Sequence, residues 1–190
     1  KKPPAEGEYF KDLRDILTDQ GIKRTDDAWQ QLLDEQGKST KRPWKDGELK
    51  MVAHWIKVNK GPLKHIEEAV TRPFNYSPLV IPIDENGKSS GLIATLLPGI
   101  QESRSFARVL VARALNHLGE GRVQEAWNDL VVVRKLGRLI GQGPTLIEAL
   151  VGIAIENMGS HALVLLVEHS KPNAKQVAKY LAELDKVDKS

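Results

Sequence analysis

The 190-residue chain contains no cysteine, so no thiolate metal site, thiol nucleophile or disulfide can form. A chain of this length needs no such staple, because one domain of ordinary size buries a substantial core. It also lacks a dominant charge sign: 28 Lys and Arg stand against 25 Asp and Glu, a net charge of +3. Residues 1–100 hold 16 basic against 15 acidic side chains, and residues 101–190 hold 12 against 10. Neither half offers the concentrated basic face with which a protein neutralises several phosphates. The one local excess, Lys38, Lys41, Arg42 and Lys45 around Trp44, reads as solvated loop charge. Nucleic acid is therefore not an expected partner.

A long run free of charge is missing as well. The most apolar stretch, Thr145 to Val167, carries Glu148, Glu156, Asn157 and His161. Each charged group near mid-bilayer costs about 2.5–3.5 kcal/mol on insertion scales, so a core helix is the expectation. A membrane would be reached only through a segment outside this chain. The chain opens Lys1-Lys2-Pro3-Pro4 without methionine and reads as a mature or excised piece with no visible signal peptide.

Chemistry-bearing motifs are equally scarce. The histidines are His54, His65, His117, His161 and His169, and no two have the i, i+4 spacing with a carboxylate that a helical zinc site uses. Neither a metal nor a cofactor is expected. Gly159-Ser160-His161 lies inside a helical pattern, not at the strand-to-helix turn of a nucleophile elbow. Gly141-Gln142-Gly143 follows no strand and reads as a helix stop, not a phosphate cradle. Asn75-Tyr76-Ser77 fits the glycosylation acceptor pattern, with Pro78 following it.

Helical periodicity fills most of the chain. Phe10, Leu13, Ile16 and Leu17 share one stripe over residues 8–20, stopped by Gly21. Thr25 reads as the cap of a second helix with Trp29, Leu32 and Leu33 inward and Gly37 as its end. Lys38 to Lys45 reads as a loop. Asp46 reads as the cap of a third helix bearing Leu49, Val52, Trp55 and Ile56, and Pro62 opens a fourth, closed by Arg72-Pro73. From Pro73 to Gly91 the periodicity disappears among prolines. An ordered connecting loop is expected there, with Phe74, Tyr76, Leu79 and Ile81 folded back as a packed lid, or a short edge strand near Leu79 to Ile83. A helix from Leu92 to Leu118, kinked or restarted at Pro98, another from Arg122 to Ile140, and a long apolar one from Pro144 to His169 follow. The last begins at Pro172 or Asn173, with Val177, Leu181 and Leu184 inward and Lys175, Lys179 and Lys186 outward.

Helical hairpins in series are the material of an α-solenoid. With Gly121 on the turn glycine of a tetratricopeptide unit, Ala126, Leu130, Val133 and Ala114 fall on its small and core positions. His117 replaces the usual tyrosine, Arg138 the terminal proline, and the next helix pair shows no copy. The expected fold is all-α: an N-terminal helical subdomain over residues 1–72, a proline-rich connecting loop over 73–91, and a tetratricopeptide-like helical body over 92–190.

Arg72 to Pro78, Leu97-Pro98-Gly99-Ile100-Gln101, and the runs Ala112 to Leu130 and Leu136 to Glu156 resemble a family of uncharacterised helical proteins from planctomycete-type bacteria, over roughly residues 43–187. The resemblance implies an envelope protein with an N-terminal anchor or signal, a proline-rich linker and a helical body. It assigns no activity and no catalytic residues, and it favours an extracytoplasmic or envelope location.

Within the body, Glu156 falls in a strip of small residues, Ala149, Gly152, Gly159 and Ser160, where a neighbouring helix can approach, and Glu148 borders it. Arg134 shares a face with Val123, Trp127, Leu130 and Gly137, and Arg108 flanks a similar face. Glu148, Glu156, Arg108 and Arg134 are either interhelical ion pairs, with Glu156 and Arg134 the first pair expected, or a ligand pocket beneath the proline-rich loop. Three tryptophans fit apolar stripes. Trp44, between Pro43 and Lys45, reads with Phe74 and Tyr76 as a surface contact. No catalytic residue is named. The expected function is a non-enzymatic protein-interaction or structural module with a protein partner, against the alternative of an enzyme or small-ligand binder using the carboxylate and arginine cluster.

Overall fold

Turn chemistry divides the chain into helices. The structure, a computed structural model, describes residues 9–19, 21, 26–74 and 92–188. Among the described residues there are eight helices and no strand: α1 Leu13–Asp19, α2 Asp26–Ser39, α3 Lys50–Val58, α4 Lys60–Ala69, α5 Leu92–Gly119, α6 Val123–Gly141, α7 Leu146–Ser170 and α8 Ala174–Asp188. The connecting loop beyond Phe74, with the edge strand expected near Leu79 to Ile83, lies outside them. The fold is all-α.

Helices α5, α6 and α7 pack on one another, with α1 to α4 gathered largely over α5 and α8 on α6. The α5–α6 hairpin turns at Gly121, whose φ of +77° suits a residue without Cβ. Arg122 N–H donates to the His117 carbonyl and Gly121 N–H to that of Leu118, the paired bonds of a Schellman cap. Ala114, Ala126, Leu130 and Val133 are all buried across this hairpin.

At the α6–α7 crossing small residues let the backbones nearly touch. A Cβ on Gly152 would lie 2.6 Å from the Gly137 carbonyl oxygen and 2.7 Å from Gly141 Cα. Of the small residues read in the sequence, Gly152 and Gly159 form the packing seam against α6, whereas Ser160 is exposed. By length and composition α7 is apolar enough to cross a membrane, yet it packs on α5 and α6, and 33% of its most apolar window is buried.

The N-terminal helices are tied to one another by directed bonds, and to α5 by apolar contact. Asn59, fully buried, accepts from Lys11 N–H and donates to the Lys11 carbonyl, and the Trp55 indole donates to the same carbonyl. Phe10 packs edge-on against Trp55 and Phe106. One apolar core runs from Leu13 through Val52, Leu63 and Leu115 to Leu166.

Several local expectations shift. Helix α2 runs past Gly37 to Ser39, and Leu33 stays exposed while Glu35 is buried. The Glu35 carboxylate accepts the N–H groups of Met51 and Val52, so it satisfies the free amides at the start of α3. Asp46 does not cap α3; its carboxylate accepts from Asn116 Nδ2. Helix α5 passes through Pro98 unbroken. In α8 the inward face is Tyr180, Leu184 and Val187, while Val177 and Leu181 are exposed. Trp127 sets that register: its ring stacks on Tyr180 with centroids 3.9 Å apart, and its indole donates to the Glu183 carboxylate. Lys175, Lys179 and Lys186 face solvent as expected.

Candidate functional site

Glu148, Glu156, Arg108 and Arg134 do not assemble into one site. Glu148 is buried and completes a capping box. Its carboxylate accepts from Thr145 N–H at 3.0 Å and Thr145 Oγ1 at 2.6 Å, while Glu148 N–H donates to Thr145 Oγ1 at 3.2 Å. Gly143 makes room for it, since a Cβ there would meet the carboxylate carbon at 2.3 Å. Glu148 is therefore the start signal of α7. Replacing it with alanine is expected to lower stability by about 1 kcal/mol with no change in oligomeric state, as read by denaturant titration and sedimentation.

Glu156 is half-buried, its Cγ lying over Gly137, where a Cβ would come within 2.7 Å of it. The ion pair expected between Glu156 and Arg134 is not found among the described residues, although Arg134 has interactions of its own. Arg108 lines a cavity of about 470 Å³ between α2, α5 and α7, with Lys41, Met158, His161 and Leu165. Neither carboxylate is in its wall.

Trp44 is the clearest correction. It is 1% exposed and is no surface contact. Its backbone N–H donates to the Leu115 carbonyl at 3.3 Å and its indole Nε1–H to that of Ala112 at 3.1 Å. The loop presses so closely on α5 that a Cβ on Gly119 would lie 2.2 Å from the Trp44 carbonyl oxygen. Phe74 is 79% exposed, so it does not fold back into a lid, and it remains open for contact. Tyr76, Leu79 and Ile81 lie outside the described residues.

Sequence reasoning missed the principal polar network. Arg113 on α5 holds Asp129 of α6 through Nε at 2.9 Å and Nη2 at 2.5 Å, and Nη2 also donates to Glu67 of α4 at 2.6 Å. His117 Nε2 lies 3.7 Å from Asp129 Oδ2, and Arg122 Nε donates to His117 Nδ1 at 2.9 Å. Arg122 and Asp46 then meet on Asn116. Burial opposes the charge on Arg113, but Asp129 and Glu67 overcome it and hold its proton more tightly than usual. Burial pushes the Asp129 carboxyl above its ordinary value, with Arg113 working the other way. Burial, with Arg122 and Arg113 nearby, holds the His117 pKa below its ordinary 6.5. A neutral imidazole also suits the Nδ1 atom that accepts from Arg122.

The network pairs its charges with one another, so it joins α4, α5 and α6 without leaving a nucleophile or base free. His117 gives it a pH signature. Because its folded value is depressed, the unfolded chain binds more protons below about pH 6.5, and stability falls as the pH drops through that point. The thermal midpoint should decrease between about pH 7 and pH 5, and His117→Gln should flatten part of that slope. An identical slope in the variant would remove His117 from the account. Among the described residues no group of three or more His, Asp or Glu side chains could hold a metal ion. His54 Nε2 is the buried side-chain polar atom without a partner among those residues.

The surface not absorbed in this way is one side of α7. Of ten large apolar side chains exposed among the described residues, five are on this helix: Leu146, Leu150, Ile153, Val164 and Val167. Comparison with known proteins adds no relative, since no family model, no curated protein and no solved structure matches the chain.

Proposed function

We propose that this chain is a non-enzymatic interaction module, a tetratricopeptide-like helical body whose contact surface is the outer side of α7. The observation that carries it is the exposure of Leu150, Ile153, Val164 and Val167, between 47% and 56% each, along one side of a helix apolar all round. Such helices are ordinarily covered on every side, and large open apolar patches mark association sites. The other features support the same reading, because Glu148 serves a helix cap, Trp44 serves the core, and Arg113 is paired with Asp129 and Glu67. In this reading α1 to α4 brace the body and the partner is a protein, and the resemblance to helical envelope proteins supports an extracytoplasmic location.

The test uses an extract of the source cells. The wild-type chain should migrate in an assembly larger than its own 21.1 kDa, and a chain carrying Ile153→Glu and Val164→Glu should migrate alone. Migration of both at the monomer position would overturn the reading.

A second reading rests on the groove beside α7. Its volume of about 470 Å³, its apolar floor of Val111, Met158 and Leu165, and its basic Arg108 and Lys41 suit a small amphiphilic anion. Thermal stabilisation by decanoate that is lost in Arg108→Gln would favour that reading.

A further inference from the structure

The exposed side of α7 has an internal order. Leu150, Ile153, Asn157, Ser160, Val164 and Val167 are all exposed, and they follow one another at intervals of three and four, the spacing of a coiled-coil seam. Between Leu150 and Val167 the order is also palindromic in polarity: two aliphatic residues, two polar ones, then two aliphatic ones; the exposed Leu146 lies one step beyond, with Lys171 at its mirror position. Measured from the midpoint between Met158 and Gly159, Leu150 matches Val167, Ile153 matches Val164, and Asn157 matches Ser160.

A two-fold axis brings one patch onto itself with the direction reversed. We infer that the occupant of this face is a second copy of the chain, its α7 packed antiparallel on the first with the two-fold axis passing the Met158–Gly159 step. This rests on the reading of α7 as the contact surface and names its partner. In that register Leu150 meets Val167 of the second copy and Ile153 meets Val164. Asn157 and Ser160 meet at the centre, where amide and hydroxyl each supply a donor and an acceptor.

The polar centre also separates this occupant from the others. A bilayer surface would take an unbroken apolar face flanked by basic residues, whereas here Asn157, Ser160 and the exposed His161 interrupt the middle of the stripe. An unrelated partner imposes no palindrome. A parallel pair would set like helix ends side by side, and the antiparallel one opposes the two dipoles. The seam from Leu150 to Val167 extends about 26 Å at 1.5 Å per residue. That is a narrow strip beside a standard interface of about 800 Å² per partner, so the dimer is concentration-dependent.

The experiment exchanges charges across the axis in the full 190-residue chain. Wild type should sediment as a dimer at about 100 µM, corresponding to micromolar affinity. Ile153→Lys alone and Val164→Glu alone should each weaken self-association by at least about 30-fold, with helicity unchanged because both positions face solvent and with the thermal midpoint equal to that of wild type only at dilutions where both are monomeric. Mixing the two variants should restore a dimer, now a heterodimer with the introduced lysine of one copy opposite the introduced glutamate of the other. A monomeric wild type overturns the second-copy occupant, and a larger assembly in cell extract would still leave the interaction reading standing. A dimer insensitive to both variants, or one that mixing does not rescue, overturns the antiparallel seam. Binding of monomers to phosphatidylglycerol vesicles that both variants abolish would assign the face to a membrane and overturn the proposal.

Discussion

Arg113→Met should cost the fold about 3–5 kcal/mol, the usual loss when one partner of a buried ion pair is removed. The Asp129 side chain is only 8% exposed, so once the guanidinium is gone its carboxylate has neither water nor a full counter-charge. Glu67, 39% exposed, loses much less. Removing the charge on both helices should recover most of the deficit: Arg113→Met with Asp129→Leu replaces a buried pair by apolar packing, which is often neutral. Denaturant titration of the single and double variants measures this directly. A single-variant loss below about 1 kcal/mol would mean that the pair behaves as a solvated surface bridge.

The second large effect belongs to Trp44. Trp44→Ala should cost about 3–5 kcal/mol, as for large aromatic truncations in a core. It removes a fully buried ring and the indole bond to the Ala112 carbonyl. Amide exchange should rise first in α2 and α3, whose connection it pins to α5. Gly119→Ala provides an independent check. Alanine ordinarily stabilises a helix over glycine by about 1 kcal/mol, but here its Cβ would sit 2.2 Å from the Trp44 carbonyl oxygen. Backbone cannot yield as a flexible side chain does, so the sign should reverse. A Gly119→Ala chain more stable than wild type would contradict the close docking of this loop.

These residues also show where sequence reading succeeds and where it stops. The α5–α6 hairpin was legible because Gly121 announces its own left-handed turn and Ala126, Leu130 and Val133 keep one face. Trp44 was not, because Pro43 and Lys45 give it a surface neighbourhood while its carbonyl partners lie about 70 positions onward in α5. Arg113 and Asp129 each look like an interruption of an apolar stripe. Their pairing emerges only when the hairpin is folded about Gly121, from which each is eight residues away. Thr145 and Glu148 carry the spacing of a capping box, a signal that the apolar run around Glu148 obscures. In α8 the stripes through Val177 and through Tyr180 differ by less than a turn, and stacking on Trp127 selects the second. The exposed side of α7 was hidden by its hydrophobicity, since an apolar helix reads as core on every side.

Disulfide trapping tests the open face of α7 most directly. The chain has no cysteine of its own, so an introduced thiol reports without background. When Ile153→Cys and Val164→Cys chains are mixed and mildly oxidised, a disulfide should join position 153 of one copy to position 164 of the other. Ile153→Cys alone should stay unlinked, because in the antiparallel pair its two copies lie about 16 Å apart along the helix axis, beyond the roughly 7 Å that a disulfide bridges between Cα atoms. No cross-link in the mixture, or efficient self-linking of Ile153→Cys, would contradict the account.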